Sequence, residues 1–264
     1  MLKEWEKNME LRDKKYFYFT QNSLNTFKSC PFRFKKKYID NIKWQNEENM
    51  SFLENAMFGT DFHKIAERYF MGIPVYEDSF SDNEELYRAF MNLKLHFPLN
   101  SEFKYYPEYS IRYSDGNIRL EANIDLIIIK GNEIEIWDWK TNAKSDKEKY
   151  SGSLQTQIYM FTLKKCCESI FGKDFSNIRM IYFSPERKEE IVSITYSDEK
   201  YKKDEKYIED LIEKVYNFEW EKFDRSKYIK QCKFCEFNLF CSSIKNEFMY
   251  EFSDLDWDDI EEVY

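Results

Sequence analysis

Two turn signals near the middle of the chain constrain its fold most. Asp115-Gly116 and Gly131-Asn132 are dipeptides that favour tight hairpin turns, because glycine, and to a lesser degree asparagine or aspartate, accepts a positive φ. They separate three segments in which the residues follow a strand-like pattern, namely 107–113, 117–130 and 133–139. The pattern therefore predicts an antiparallel meander of three strands.

Segments with helical periodicity flank this meander. The predicted elements outside it are, in chain order, helices over 20–39 (interrupted at Cys30-Pro31), 58–71, 83–96 and 153–170, strands near 178–184 and 190–196, and a polar helix over 199–222. There is no internal repeat and no Pro/Gly/Ser-rich linker, since the chain has only 6 Gly and 5 Pro. Residues 1–246 are therefore predicted to form one α/β domain, a mixed sheet flanked by helices.

An acidic tail accounts for most of the net charge of −9. Residues 247–264 contain eight acidic residues and no Lys or Arg, whereas residues 28–43 carry six basic groups against one acidic group. A local basic patch can bind phosphate in an acidic protein, although a solvated lysine-rich face would look the same in sequence. The tail could dock on a partner, cover the basic patch, or remain a solvated terminus.

The cysteines indicate metal ligation more than disulfides. No apolar run approaches the roughly 20 residues that span a bilayer, and the charged N-terminal stretch has no signal-like apolar core, so we expect a cytoplasmic protein with reduced thiols and no membrane partner. Cys232, Cys235 and Cys241 form a C-x₂-C-x₅-C pattern, and Cys30 is the candidate fourth ligand. Four thiolates suit either zinc or a [4Fe–4S] cluster. The adjacent pair Cys166-Cys167 is predicted to lie in the core.

Two acidic residues and a lysine form a pattern that suits a divalent metal. Asp125 heads the apolar run of the second strand, while Asp138 and Lys140, two apart on the third, leave the same face. The Gly131-Asn132 turn would bring Asp125 alongside them. Converging carboxylates repel each other unless a cation lies between them, and hard oxygen ligands suit Mg²⁺ or Mn²⁺. The alternative is an exposed ion pair of Asp138 with Lys140.

Five segments, in order, resemble the motifs of the RecB-like branch of the PD-(D/E)XK nuclease superfamily. That branch includes the nuclease domains of the RecB and AddB helicase–nucleases and the CRISPR-associated iron–sulfur exonucleases. The matching segments are 20–34 (TQNSLNTFKSCPFRF), 59–63 (GTDFH), 124–125 (ID), 138–141 (DWKT) and 155–159 (QTQIY). Ala122 and Asn142 stand where the family commonly has glycine, and neither change removes a functional group.

The resemblance implies a restriction-endonuclease-like core and assigns roles to individual residues. The implied ligands of Mg²⁺ or Mn²⁺ are His63, Asp125, Asp138 and the backbone carbonyl of Trp139. Lys140 would assist the attacking water, so that Asp125, Asp138 and Lys140 are the catalytic set. Gln155 and Tyr159, one helical turn apart, would face DNA.

The resemblance also implies a [4Fe–4S] cluster on Cys30, Cys232, Cys235 and Cys241. Such a cluster would join the N-terminal segment 20–43 to the C-terminal segment 228–243 and would add helical, Cys-rich flanks to the core. Next to Cys30, a basic and aromatic stretch is expected to track and stack single-stranded DNA. Its basic members are Arg33, Lys35, Lys36 and Lys37.

These features predict a metal-dependent DNA nuclease, most simply an exonuclease acting on DNA ends or single strands. The resemblance places it in DNA repair and recombination or in CRISPR adaptation, with a helicase or a CRISPR-adaptation protein as a candidate partner. A second hypothesis is a non-catalytic DNA-end-binding scaffold subunit of such a complex, and a third is a zinc-bearing interaction module. The intact set of Asp125, Asp138 and Lys140 favours the enzyme.

Overall fold

The computed structural model describes residues 17–43, 50–80, 83–140, 147–185 and 191–241, so the acidic tail predicted over 247–264 lies outside the described residues. Its α-helices are α1 (Gln21–Ser29), α2 (Pro31–Phe34), α3 (Met50–Phe70), α4 (Glu84–His96), α5 (Lys147–Gly152), α6 (Leu154–Phe171), α7 (Asp198–Tyr216) and α8 (Asn238–Cys241). Its strands are β1 (Lys104–Asp115), β2 (Ile118–Lys130), β3 (Glu133–Trp139), β4 (Asn177–Phe183) and β5 (Ile191–Thr195).

The strands form a five-stranded mixed sheet in the order β1-β2-β3-β4-β5. The pairs β1–β2, β2–β3 and β4–β5 are antiparallel, and β3–β4 is parallel. The predicted meander is thus confirmed as β1 to β3. A parallel pair cannot be joined by a hairpin, and the chain crosses from β3 to β4 through α5 and α6.

Each face of the sheet is covered by helices and has its own apolar cluster. On one face α1, α6 and α7 pack against β2 and β3 through residues such as Leu24, Leu163, Ile212, Ile124 and Ile136. On the other face α3 and α4 pack through residues such as Phe62, Leu93, Leu126, Trp137 and Phe183. The result is an α/β fold consistent with a restriction-endonuclease-like core. None of the helices in the described part of the chain is long and apolar enough to cross a membrane.

Helix α6 is the central crossover helix, and its sequence explains both of its ends. The Ser153 hydroxyl accepts a hydrogen bond from the Thr156 N–H and caps the first turn. Gly172 ends the helix in the left-handed conformation, at φ 73°. Between these ends the helix is buried over much of its circumference, and Cys166 and Cys167 are buried as predicted.

Three predicted helices differ from those observed. The helix predicted over 58–71 begins earlier, at Met50, as α3. The segment 20–39 divides into α1, α2 and a π-helical turn at Lys35–Ile39. Cys30 between α1 and α2 is extended, at φ −160° and ψ 110°, because a proline disfavours helical backbone in the residue before it. The helix predicted over 199–222 ends at Tyr216, where Phe218 and Trp220 turn back to pack on Phe27.

Candidate active site

The sheet divides where β2 and β3 separate. Their pairing ends at Leu126 and Trp137, although β3 continues beside β4 as far as Trp139, which is paired with Phe183. Asp125 lies at this fork, and its Oδ2 accepts the Trp139 N–H at 2.7 Å. The carboxylate thus accepts a hydrogen bond from a backbone N–H that lies beyond the last β2–β3 pair. Asp125 is buried, with only 4% of its surface exposed.

Glu108 of β1 lies opposite Asp125. The pairs on either side, Tyr109 with Ile124 and Pro107 with Leu126, set this register. Glu108 has a φ of 45°, a left-handed conformation that costs a residue with a β-carbon on the order of 1–3 kcal/mol. Strain of this kind persists where the surroundings impose it, and such places cluster at functional sites.

Helix α3 places His63 beside both carboxylates. Its Nδ1 lies 3.3 Å from Glu108 Oε1 and 3.7 Å from Asp125 Oδ1. One ligand atom from each of the three residues lies within 4.8 Å of the other two. His63 and Asp125 are buried and Glu108 is partly exposed, so this carboxylate–histidine cluster is open on the Glu108 side. Two carboxylates and an imidazole at this spacing are a donor set for a divalent cation.

A second group, the lysine–amide triangle, consists of Asp138, Lys140 and Gln155. The Lys140 ammonium lies 3.0 Å from Asp138 Oδ2 and donates to Gln155 Oε1 at 3.0 Å, while the Gln155 amide donates to Asp138 Oδ1. Asp138 and Lys140 share one face of β3, as their spacing predicted, and Gln155 comes from the first turn of α6. Burial on this face raises the pKa of Tyr182, whose ring lies 5.7 Å from the Lys140 ammonium.

The two groups meet at Trp139. Its N–H is held by Asp125, and its chain neighbours are Asp138 and Lys140. The fork therefore has a candidate metal-binding cluster on one side and a positioned ammonium on the other.

A model of the PD-(D/E)XK nuclease superfamily matches residues 18–112 and 74–242, which together cover most of the chain. The chain belongs to the PD-(D/E)XK nuclease superfamily. Membership implies a phosphodiester hydrolase that uses divalent metal ions.

Two solved structures are similar to this member of the superfamily. A candidate exonuclease from Eubacterium rectale has 12% sequence identity to this chain and a TM-score of 0.49. The alignment covers 80% of this chain and 86% of the exonuclease chain. The protein SSO0001 has 16% sequence identity to this chain and a TM-score of 0.34. The alignment covers 81% of this chain and 95% of the SSO0001 chain. A search of curated protein sequences found no match.

The predicted metal ligands of this superfamily member fall into both groups. His63 and Asp125 lie in the carboxylate–histidine cluster, whereas Asp138 contacts Lys140 and Gln155. Glu108 was not predicted, although it completes the cluster. The sequence could have indicated Glu108, because counting along both strands from the Asp115-Gly116 turn places residue 108 opposite residue 125.

The two residues predicted to face DNA from α6 differ in their surroundings. Gln155 lies at the fork, where it forms hydrogen bonds with Lys140 and Asp138 in the lysine–amide triangle. Tyr159 is only 5% exposed and belongs to the core cluster, so little of its ring is accessible to DNA.

Contacts outside the candidate active site join the two ends of the described chain. Arg33 Nε lies 2.8 Å from Glu236 Oε2, and the rings of Phe32 and Phe223 stack with centroids 5.5 Å apart. They bring the segment after Cys30 next to the C-terminal cysteines.

All six cysteines are free. Burial raises the pKa of Cys30, Cys235 and Cys241, in the case of Cys235 to about 12. Cys30 also interacts electrostatically with Cys232, Cys235 and Cys241, each pair raising a thiol pKa. The four cysteines therefore lie in one region of the fold, although their sulfurs are not among the ligand atoms of the described residues that all lie within 4.8 Å of one another.

The basic residues predicted to bind DNA are partly balanced by acids of the same chain. Lys36 lies 2.8 Å and Lys35 3.7 Å from Asp40, and Arg33 pairs with Glu236. The ammonium groups of Lys36 and Lys37 also lie over the rings of Phe32 and Tyr38. Two of the lysines of the π-helical turn thus lie over aromatic rings, one from α2 and one from the turn itself.

Proposed function

We propose that this protein is a metal-dependent DNA nuclease of the RecB-like branch that shortens DNA from ends or along single strands. The observation that carries the proposal is the fork, where the carboxylate–histidine cluster and the lysine–amide triangle meet at Trp139. Its proposed place is DNA repair and recombination or CRISPR adaptation, beside a helicase or a CRISPR-adaptation protein.

The donor set at the fork fits a hard divalent cation. His63, Glu108 and Asp125 offer one nitrogen and two oxygens, and the two carboxylates need a nearby positive charge. The nitrogen favours Mn²⁺ somewhat over Mg²⁺. Asp138 and the Trp139 carbonyl are proposed as further ligands. When bound, the ion would polarise a phosphate oxygen and lower the pKa of a bound water.

The chain's own residues would position and neutralise the reacting groups. Asp125 holds the Trp139 backbone and so sets the distance between the two groups. Gln155 and Asp138 hold the Lys140 ammonium, which can offset the negative charge that develops on the phosphate or orient the attacking water. An ammonium already held in place costs little reorganisation during the reaction.

The proposal includes a [4Fe–4S] cluster on Cys30, Cys232, Cys235 and Cys241. Two observations support it: Cys30 interacts electrostatically with the other three cysteines, and the Arg33–Glu236 ion pair brings the segment after Cys30 next to the segment of Cys235. The cluster would join residues 20–43 to 228–243 and make residues 1–246 one closed nuclease domain. Arg33, Lys35, Lys36 and Lys37 would then lie beside it as a path for single-stranded DNA.

The direct test is a time course on end-labelled single- and double-stranded DNA with Mg²⁺ or Mn²⁺. We expect progressive shortening from an end, abolished by EDTA. A circular single strand is the matched substrate that separates exonuclease from endonuclease activity. Stable DNA binding without cleavage in either metal would contradict the proposal and favour a scaffold subunit.

Glu108 provides a test of the metal site. Glu108→Gln should weaken Mn²⁺ binding about 10- to 100-fold, the usual loss when a group that ligates or orients a ligand is removed. Glu108→Gly should lose as much affinity without loss of stability, since glycine accepts the positive φ at this position. The measurement is an Mn²⁺ titration by calorimetry, together with thermal melting.

The matched control for Glu108 is Glu121→Gln on β2. Glu121 is also a partly exposed carboxylate of the sheet, but it pairs with Arg112 on the surface. We expect Mn²⁺ affinity to be unchanged in this control. Equal affinities in the Glu108 variants and the control would remove Glu108 from the metal site.

A further inference from the structure

Tyr182 of β4 lies beside the lysine–amide triangle. In the parallel pairing of β3 and β4 it is the partner of Asp138, so both side chains leave the same face of the sheet. The two preceding residues on this face of β4, Ile178 and Met180, are apolar members of the core. Tyr182 is equally buried, at 2% exposed, but it carries a hydroxyl group. A buried hydroxyl destabilises a fold unless it is hydrogen-bonded, so its partners decide what it contributes.

The Tyr182 hydroxyl joins the first turn of α6 to β4. It lies 2.8 Å from Thr156 Oγ1, and Thr156 is fully buried. The hydroxyls of Ser153 and Thr156 both donate to the Tyr150 carbonyl, at 3.0 and 2.6 Å, and a carbonyl can only accept. The single Thr156 proton is therefore already used, and Tyr182 is the donor in its bond to Thr156. Burial and the Asp138 charge raise the pKa of Tyr182, so the hydroxyl keeps the proton that it donates.

This bond fixes the turn of α6 that carries Gln155. Gln155 immediately precedes Thr156, and from this turn its side chain forms hydrogen bonds with Lys140 and Asp138. The turn cannot move away from β4 without breaking the buried bond between Thr156 and Tyr182. The Tyr182 hydroxyl therefore limits where the Gln155 amide can lie.

The Tyr182 ring makes a second contact with the triangle. The Lys140 ammonium lies over this ring, 5.7 Å from its centroid, and only 15% of the Lys140 side chain is exposed. A cation within about 6 Å of an aromatic face is attracted to it, more strongly where water is excluded. The ring of Tyr150 is stacked on that of Tyr182, with centroids 4.1 Å and planes 14° apart, which keeps the Tyr182 ring in one orientation.

We propose that Tyr182 is a positioning residue for Lys140, in which the ring attracts the ammonium and the hydroxyl fixes the turn of α6 that carries Gln155. The inference rests on the proposed function, in which Lys140 assists hydrolysis of the phosphodiester. With 2% of its surface exposed, Tyr182 does not itself reach DNA. It acts on the reaction only through Lys140 and Gln155.

The first test observes the Lys140 ammonium by nuclear magnetic resonance of the full chain without DNA. The ring current shifts protons over an aromatic face upfield, so the Lys140 resonance, assigned by its loss in Lys140→Arg, should lie upfield of exposed lysines. Tyr182→Phe keeps the ring and should keep the shift, whereas Tyr182→Leu should move the resonance downfield. The matched control is Phe161→Leu, which removes a buried ring 5.5 Å from the Lys165 ammonium. It should move the Lys165 resonance and leave that of Lys140 unchanged.

The second test separates kcat from KM on end-labelled DNA. Tyr182→Leu should lower kcat about 10- to 100-fold, the usual loss when a group that orients a functional residue is removed, with KM changed less than about twofold. Tyr182→Phe and Thr156→Val each remove the shared hydrogen bond and should each lower kcat several-fold. Because the bond is shared, the double variant should lose little more than the single ones. Phe161→Leu should lower the melting temperature but keep kcat.

Each part of the proposal can be overturned separately. A Lys140 resonance among those of exposed lysines in the wild type, or one that Tyr182→Leu leaves in place, would overturn the role of the ring. Multiplied losses in the double variant would overturn the role of the hydroxyl, and this comparison remains even if Tyr182→Leu does not fold. Equal kcat in Tyr182→Leu and Phe161→Leu would leave Tyr182 a core residue only. The resonance needs no nuclease activity, so the expected shifts in a protein that cleaves no DNA would contradict the proposed function alone.

Discussion

Lys140→Ala, Asp138→Asn and Asp125→Asn are each expected to reduce DNA cleavage on the order of 10³-fold while the protein remains folded and still binds DNA. In the proposed mechanism Lys140 supplies a positive charge near the phosphate, and Asp138 lies 3.0 Å from its ammonium group. Asp125 acts on the other side of the fork, in the carboxylate–histidine cluster. Because such groups act as a unit, the double variants should lose little more activity than the single ones.

The choice of asparagine at position 125 separates catalysis from folding. The Asp125 carboxylate also accepts the buried Trp139 N–H, so Asp125→Ala would leave that donor unpaired at a cost of about 1–3 kcal/mol. Asparagine retains an acceptor oxygen but loses the negative charge that a cation needs. We therefore expect Asp125→Asn to melt close to the wild type and Asp125→Ala to melt lower.

A matched lysine outside the site completes the design. Lys165, ten residues after Gln155 on the same helix, pairs with Glu205 at 2.8 Å. Lys165→Ala should keep full activity and lose at most about 1 kcal/mol of stability. Wild-type cleavage rates in a variant of Asp125, Asp138 or Lys140 would contradict the catalytic assignment.

The meander could be predicted because its information is local. The turn dipeptides fix where the chain reverses, and the strand period assigned Asp138 and Lys140 correctly to one face. The Asp115-Gly116 turn also indicates that Glu108 lies opposite Asp125. Counting along the two strands from the pair Asp115–Ile118 reaches these two residues without any knowledge of the fold. Glu108 lies within the predicted strand 107–113 and was missed because none of the matched motifs includes this glutamate.

The fork itself could not be predicted from the pattern. Asp125 lies where β2 and β3 stop pairing, and no sequence period marks that position. The contact of Asp138 with Gln155 is also a tertiary property, because α6 is placed by the crossover between β3 and β4. Helical spacing predicted that Tyr159 shares a face with Gln155, but Tyr159 is one of ten buried residues among the 18 of α6.

The cysteine pattern could be predicted only in part from the sequence. The spacing of Cys232, Cys235 and Cys241 is local and indicates an incomplete ligand set. The approach of Cys30 depends on contacts such as Arg33 with Glu236 that no local rule predicts. The sequence indicates that a fourth ligand is needed, and only the fold shows that Cys30 lies near the other three cysteines.

Cys30→Ala is expected to do more than remove one cluster ligand. Cys30 and Cys232 lie 202 positions apart, so the ligand set would close nearly the whole described chain into one loop. By analogy with a cross-link, closing a loop of that length stabilises a fold by about 5 kcal/mol at most. That is comparable with the total stability of an ordinary domain. The variant should therefore lose iron and sulfide, melt at a lower temperature, bind DNA more weakly and cleave it more slowly.

The control is Cys166→Ala, which changes a buried cysteine of α6 that lies in the core cluster. It should keep iron, sulfide and most of the activity, with only the small loss of stability that a shortened core side chain causes. Both proteins are purified anaerobically and compared by iron and sulfide assay, thermal melting and cleavage rate. Zinc without sulfide in the wild type would replace the cluster with a zinc site on the same thiols. Full iron and wild-type stability in Cys30→Ala would show that Cys30 is not a cluster ligand and that contacts such as Arg33–Glu236 and Phe32–Phe223 hold the two ends together without it.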